Sequence, residues 1–246
     1  MNLATNKTVR ELAVEIPGAT RVFERMGIDY CCGGKRSLAD ACATAGVTVE
    51  EVQRSLELTT ASGVQCEEPN FHTATLKDLI DHVVGKHHSF TRLEIARLNA
   101  LLEKVCVAHG ENHPELLRIN LLFRELGADL GTHMTKEERV LFPYVIRMEA
   151  AANQHVPLFR APFGTVANPV RMMMLEHDRA GELLKEIRAL SSNYVPPADG
   201  CISYQTLYTA LEALEKDLHQ HIHLENNILF PRAVEMEPVV EAVAVS

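Results

Sequence analysis

Two segments of this 246-residue chain share one arrangement of metal-ligating residue types. One runs from His133 through Glu137 to Leu141-Phe142-Pro143, the other from His221 through Glu225 to Leu229-Phe230-Pro231. Both read H-x3-E-x3-L-F-P, and both ligand positions repeat at one offset (221 − 133 = 225 − 137 = 88). His88 and His177 recur at nearly the same offset (177 − 88 = 89). An imidazole and a carboxylate one helical turn apart lie about 6 Å from each other on one face, which suits ligation of neighbouring ions. Four imidazoles and two carboxylates suit iron, manganese or zinc, and carboxylates shared by two octahedral ions favour iron or manganese over tetrahedral zinc.

The elements that must carry these residues are long helices. Apolar residues step by 4, 3, 4, 3 along Leu207, Leu211, Leu214, Leu218, His221, Glu225 and Ile228. The same rhythm runs through Ile119, Phe123, Leu126, Leu130, His133, Glu137, Val140 and Tyr144. Val84, His88, Thr91, Ile95, Leu98 and Leu102 form a third seam, and Met173, His177, Ala180, Leu184 and Ile187 a fourth. These are core-facing positions of a helix bundle, so every candidate ligand sits inside an apolar stripe. A buried carboxylate is costly unless its charge is compensated, and two at one level also repel; two cations would answer both problems. The heights agree. His88 lies 19 residues before the end of its helix (107 − 88) and His133 lies 19 after the start of the next (133 − 114). Both are then roughly 28 Å from the connecting loop at about 1.5 Å per residue.

The spacing predicts long helices over 74–108, 114–149, 169–191 and 203–236, and short ones over 8–15, 18–26, 37–45 and 48–58. Thr8 with Glu11, Thr48 with Glu51, Thr75 with Asp78, and Ser37 with Asp40 mark helix starts. The duplicated helix pair makes an antiparallel four-helix bundle over 71–246. An all-α fold follows, with a small N-terminal helical domain over 1–58 and a linker over 59–70 that lets this domain swing. Aromatics are only 5% of the chain and Trp is absent, which favours helix over sheet. The net charge of −9 argues against nucleic acid or an anionic membrane as partner. No apolar run is long enough to span a bilayer, the N-terminus is too polar for a secretory signal, and the six cysteines lack a disulfide framework. A reducing compartment, the cytoplasm, is expected. The remaining histidines fall off the ligand face (His82, His87, His219, His223) or near loops (His72, His109, His113, His155), with His87 a reserve ligand.

The small domain carries Asp29-Tyr30-Cys31-Cys32-Gly33-Gly34-Lys35. Adjacent cysteines before a Gly-Gly turn are expected to be exposed, and Lys35 and Arg36 favour thiolate there. Together with the two H-x3-E-x3-L-F-P segments, this motif resembles the RIC (repair of iron centres) family, across essentially the whole chain. The resemblance implies a haemerythrin-like bundle and a cytoplasmic, stress-induced protein. It implies two iron ions, bridged by carboxylate and oxo groups, on His88, His133, Glu137, His177, His221 and Glu225. It implies a part in restoring iron–sulfur clusters damaged by nitric oxide or peroxide, with Cys31 and Cys32 moving NO or iron. Damaged iron–sulfur proteins are then the partners and NO or O2 the small ligand, and the chain could pair as a homodimer. The rival readings are a di-iron NO reductase or peroxidase, and an O2 or NO sensor or carrier. Asp129, one turn before His133, and Glu176, beside His177, are expected to line an acidic access path.

Overall fold

The computed structural model describes residues 7–16, 18–31, 33–61, 71, 73–156 and 161–243. All extended secondary structure among them is helical. Four short helices come first: α1 (Val9–Glu15), α2 (Ala19–Arg25), α3 (Leu38–Ala45) and α4 (Val49–Ala61). Their starts follow the sequence. Thr8 and Glu11 form a reciprocal capping box, Ser37 accepts from the Asp40 N–H, and Thr48 from the Glu51 N–H. Thr59 to Ala61 extend α4 instead of opening the expected linker, and 62–70 lie outside the described residues. This domain has a core of its own, centred on Leu12, Phe23, Leu38, Val52 and Leu56.

Four rods follow. The first is α5 (Leu76–His82), a π-helical turn at Val83–His88, and α6 (Ser89–His109). The second is α7 (Glu115–Lys136), a π turn at Glu137–Leu141, and α8 (Phe142–Gln154). The third is α9 (Ala167–Leu190), unbroken. The fourth is α10 (Ile202–Leu224), a π turn at Glu225–Leu229, and α11 (Phe230–Val243). Helix α7 packs on α6 and α9, and α6 packs on α10. One apolar cluster fills the half of the bundle around Leu98, Phe123, Leu184 and Leu211, and another the half around Leu79, Met148, Met173 and Phe230.

The π turns correct one seam. Val140 was expected in the core, yet it is 47% exposed and Leu141 is buried in its place. A π turn holds one residue more than an α turn, so the buried face moves on by one position. Pro143 and Pro231 lie just beyond the second and third π turns, and each lacks the N–H that a regular ladder would use.

The duplication reaches further than the ligand motifs. Glu149, near the end of the second rod, accepts the Leu76 and Lys77 backbone N–H groups at 2.6 and 3.0 Å and so caps the first rod. Glu237 accepts the Val166 N–H at 2.7 Å and the Thr165 hydroxyl, and so caps the third rod. The offset is again 88 (237 − 149). Each carboxylate satisfies donors at a helix start that is otherwise buried. Glu149→Ala should therefore cost about 1–3 kcal/mol in equilibrium denaturation, and Glu237→Ala a similar amount. Unchanged denaturation midpoints would show that solvent satisfies these helix starts.

Candidate metal centre

The six predicted ligands meet at mid-height in the bundle, and all six are buried. They form two groups. His88, Glu137, His221 and Glu225 make one, and His133, Glu137, His177 and Glu225 the other. In the first, His88 Nε2 faces His221 Nε2 at 3.1 Å, Glu137 Oε2 at 3.4 Å and Glu225 Oε1 at 3.7 Å. In the second, His133 Nε2 faces His177 Nε2 at 2.9 Å and Glu137 Oε1 at 3.4 Å, while Glu225 Oε2 lies 3.1 Å from His177 Nε2. Each carboxylate thus gives one oxygen to each group.

A cation fits each group. Donors at ~2.1 Å from an ion stand about 3.0 Å apart at right angles and about 3.4 Å apart in a tetrahedron, and all the separations above except the 3.7 Å between His88 and Glu225 fall close to that range. Both oxygens of Glu137 and Oε2 of Glu225 are buried without a hydrogen-bond partner, which would be costly for carboxylates with nothing else to meet. Two imidazole nitrogens in contact also need either a proton or a cation between them.

The outer nitrogens explain how the rings are held. His88 Nδ1 meets Glu138 Oε1 at 2.6 Å, and Arg92 pairs with the same carboxylate. His133 Nδ1 meets Glu176 Oε2 at 2.8 Å, and Lys136 closes on the other oxygen of Glu176. His177 Nδ1 meets Asn226 Oδ1 at 2.9 Å. Such partners fix the ring orientation and leave Nε2 for the ion. Phe142 stacks on His88 at 5.8 Å and Phe230 on His177 at 6.0 Å, so the Phe of each L-F-P segment packs on the histidine of the other rod in its own helix pair.

Glu176 therefore stands at the centre as the partner of His133. Asp129 does not reach it; its carboxylate accepts from Arg179 Nε at 2.7 Å on the surface. His87, the reserve ligand, is buried but bonds Asp217 through Nδ1 at 2.9 Å and stacks on His221. Sequence reading missed Glu138, Asn226 and Asn227. The signal was present, because Glu138 and Asn226 are themselves 88 residues apart and each follows a ligand glutamate.

The cysteine turn departs from expectation. Cys31 is only 4% exposed, and Cys32 lies outside the described residues. Asp29 Oδ1 accepts from the Cys31 N–H at 3.2 Å, the Gly33 N–H at 3.0 Å and the Cys31 thiol at 3.4 Å. A Cβ at Gly34 would lie 2.8 Å from the Tyr30 carbonyl, so the chain there is tightly packed. The turn also rests on the bundle. Tyr30 packs edge-on against His223 at 5.3 Å, and Asn227 Nδ2 donates to the Tyr30 carbonyl at 3.0 Å.

Comparison with known proteins agrees with this arrangement. Residues 5–60 match the ScdA_N family, described as a domain of unknown function, DUF542. Residues 78–233 match the hemerythrin HHE cation-binding domain. A probable iron-sulfur cluster repair protein of Haemophilus influenzae is 34% identical over 234 residues, 95% of this chain and 99% of the relative. The chain belongs to the iron-sulfur cluster repair family. The iron-sulfur cluster repair protein YtfE of Musicola paradisiaca is 34% identical over 235 residues, 94% of this chain and 97% of its own. The YtfE protein of Escherichia coli is 33% identical over 225 residues, 91% of this chain and 94% of its own. The bundle carries a hemerythrin-like cation-binding domain. Among the described residues, no helix is long and apolar enough to cross a membrane.

Without metal the centre holds protons. Burial disfavours a charge on His88, but hydrogen bonds and charge from Glu137 and Glu225 outweigh it and lift its pKa to about 10. His133 rises to about 9 on the same balance, with Glu137 the main opposing charge. Burial acts to raise both Glu137 and Glu225, and the charge of Glu225 also raises Glu137, yet the facing imidazoles hold both below the usual carboxylate range. In metal-free protein the histidine contribution to stability is complete below the ordinary imidazole pKa and fades as pH rises through about 9 to 10. The carboxylate contribution fades in acid. Cations compete with these protons, so loading near pH 7 should expel about two protons per centre, from His88 and His133. Titration in weak buffer with an indicator dye measures this, and release near zero would show neutral histidines. Glu137→Ala with Glu225→Ala should lose all bound metal by elemental analysis, since both groups share both carboxylates.

Proposed function

We propose that this chain is a di-iron protein that restores iron–sulfur clusters damaged by nitrosative or oxidative stress, in a reducing compartment such as the cytoplasm. The observation that carries the reading is the shared pair Glu137 and Glu225, each with one oxygen in each group. That arrangement suits two neighbouring ions of similar charge. The mixed nitrogen and oxygen donors, with both carboxylates shared, suit iron or manganese.

Each ion would meet two imidazoles and two carboxylate oxygens from the protein. Iron held by these residues would bind a small ligand such as NO or O2 and could also be given up. The protein's part is to supply four neutral imidazoles, orient three of them through Glu138, Glu176 and Asn226, and exclude bulk water with Phe142 and Phe230. Cys31 stands on the bundle face beside the centre, one amide away from His177. Its thiolate is a softer ligand than His or Glu, so iron leaving the centre for a sulfur-rich cluster has a chemically matched intermediate holder there. Damaged iron–sulfur proteins are the partners this reading requires.

The test is recovery of activity in an NO-damaged iron–sulfur hydratase mixed with the iron-loaded protein. Cys31→Ala with Cys32→Ala should keep metal content, visible spectrum and melting temperature while losing most of the recovery. Full recovery by this variant would assign repair to the bundle alone. Steady NO consumption without cluster recovery would instead favour a di-iron NO reductase.

A further inference from the structure

The repeat pairs the residues that support the four ligand rings. Position 138 corresponds to 226 (226 − 138 = 88), and position 87 to 176 (176 − 87 = 89). Three of these four side chains bond the outer nitrogen of a ring. Glu138 bonds His88, Glu176 bonds His133 and Asn226 bonds His177. By the same relation His87 should support His221, yet it does not bond the outer nitrogen of that ring. Its face stacks on His221 at 5.7 Å with 13° between the planes, and its Nδ1 meets Asp217 Oδ1 at 2.9 Å. Among the described residues, His221 Nδ1 is buried with no hydrogen-bond partner.

Burial and charge explain the exception. The Glu176 side chain is 30% exposed, and Lys136 closes on it. His87 is 1% exposed, and the counterpart of Lys136 is Leu224 (224 − 136 = 88). A carboxylate at position 87 would be buried with no cation beside it, which is costly. A histidine needs no counter-charge there, and it reaches a carboxylate further out, on Asp217. Asp217 lies one turn before His221 on α10, and its Oδ2 is buried with no hydrogen-bond partner among the described residues. Its counterpart Asp129 (217 − 129 = 88) stays on the surface with Arg179, because Glu176 already serves His133. An imidazole that offers Nε2 to a cation carries its hydrogen on Nδ1. A donor and an acceptor, each costly alone, therefore stand one turn apart on one helix face. Such side chains are about 5–6 Å apart at Cβ, a span that one buried water closes with two hydrogen bonds.

We propose that Asp217 is the positioning residue for His221. Through Oδ1 it holds the His87 ring against His221, and through Oδ2 it accepts the Nδ1 hydrogen of His221 across one water molecule. The inference rests on the reading of the six residues as a metal centre. It makes the two cation positions unequal. Both rings of the His133 and His177 group are held by direct bonds, whereas the His88 and His221 group has one ring held through a relay.

Competition between a chelator and full-length protein loaded with ferrous iron measures how tightly each ion is held. Asp217→Asn keeps the size of the side chain and an acceptor for His87 but removes the charge. It should release one ion about tenfold more readily than wild type and hold the other unchanged. Glu176→Gln should likewise weaken one ion. The double variant should hold both ions weakly, because the two residues serve rings of different groups. Asp129→Asn is the surface control and should match wild type. A crystal structure of the loaded protein should show a water within about 3.2 Å of both His221 Nδ1 and Asp217 Oδ2. Wild-type affinities in Asp217→Asn would overturn the positioning role while leaving the metal centre intact. So would equal weakening of both ions in that variant, which marks a general loosening of the bundle. A double variant that still holds one ion tightly, an equal loss in Asp129→Asn, or a loaded structure without the water would overturn it too. Wild-type protein that binds no iron would overturn the centre and the inference together.

Discussion

Two carboxylates with no solvent exposure, at one level of an apolar bundle, are the constraint from which the rest of this structure follows. Among the described residues, neither Glu137 nor Glu225 has a salt-bridge partner that is permanently cationic, and the ion-pair partners that face them are imidazoles. Such a pair is tolerable only if positive charge arrives from protons or from metal. Four histidines, one from each rod, therefore have to converge on the same level. Their outer nitrogens then need partners of their own. Glu138, Glu176 and Asn226 meet that need for three of the rings, with Arg92 and Lys136 stabilising the two carboxylates from the surface. The requirement spreads outward from the ligands, and the ligands and the residue after each ligand glutamate recur about 88 residues apart.

The halves are nonetheless unequal. Carboxylates support His88 and His133, whereas an amide supports His177, and His221 Nδ1 is buried without a partner beside the stacked ring of His87. The neutral side is the side that receives the small domain. Tyr30 and Cys31 press there against His223, Asn226 and Asn227. A glutamate at position 226 would set a second charge against the backbone carbonyls of the cysteine turn. An amide can accept from the metal side and donate to the other, so docking accounts for the break in symmetry.

Much of this was legible because the ligands fall within heptad seams, and the seams report burial through spacing alone. The capping residues of the short helices were legible for a similar reason, since their chemistry is local. Three features were not. Val140 was placed in the core because a constant rotation per residue was assumed, and nothing in the composition of Glu137–Leu141 marks a wider turn except the proline that follows. Cys31 was placed in solvent because Gly33-Gly34 reads as freedom; here Gly34 serves close packing, and Asp29 organises the turn. Asp129 is expected on an acidic access path from its position one turn before His133, whereas Arg179, from a neighbouring rod, draws it outward. The first two depend on local backbone geometry that residue types alone do not encode, the third on a partner 50 residues away. Glu149 and Glu237 could have been found, since the repeat that identified the ligands extends to them unaltered.

The π turn at Glu137–Leu141 has a consequence for how this bundle tolerates change in length. An extra residue in a helix turns everything beyond it by about 100°. The second rod beyond Leu141 is thus in phase only because the surplus residue is there. Its Phe142 faces His88, and its Glu149 faces the start of the first rod, by virtue of that rotation. Removing a single exposed residue from the turn would leave every contact partner in the chain, yet it would point Phe142 and Glu149 away from theirs. The ligands upstream and the cap downstream are therefore geared to each other through one turn of backbone. In this region the chain can exchange side chains far more readily than it can gain or lose a residue.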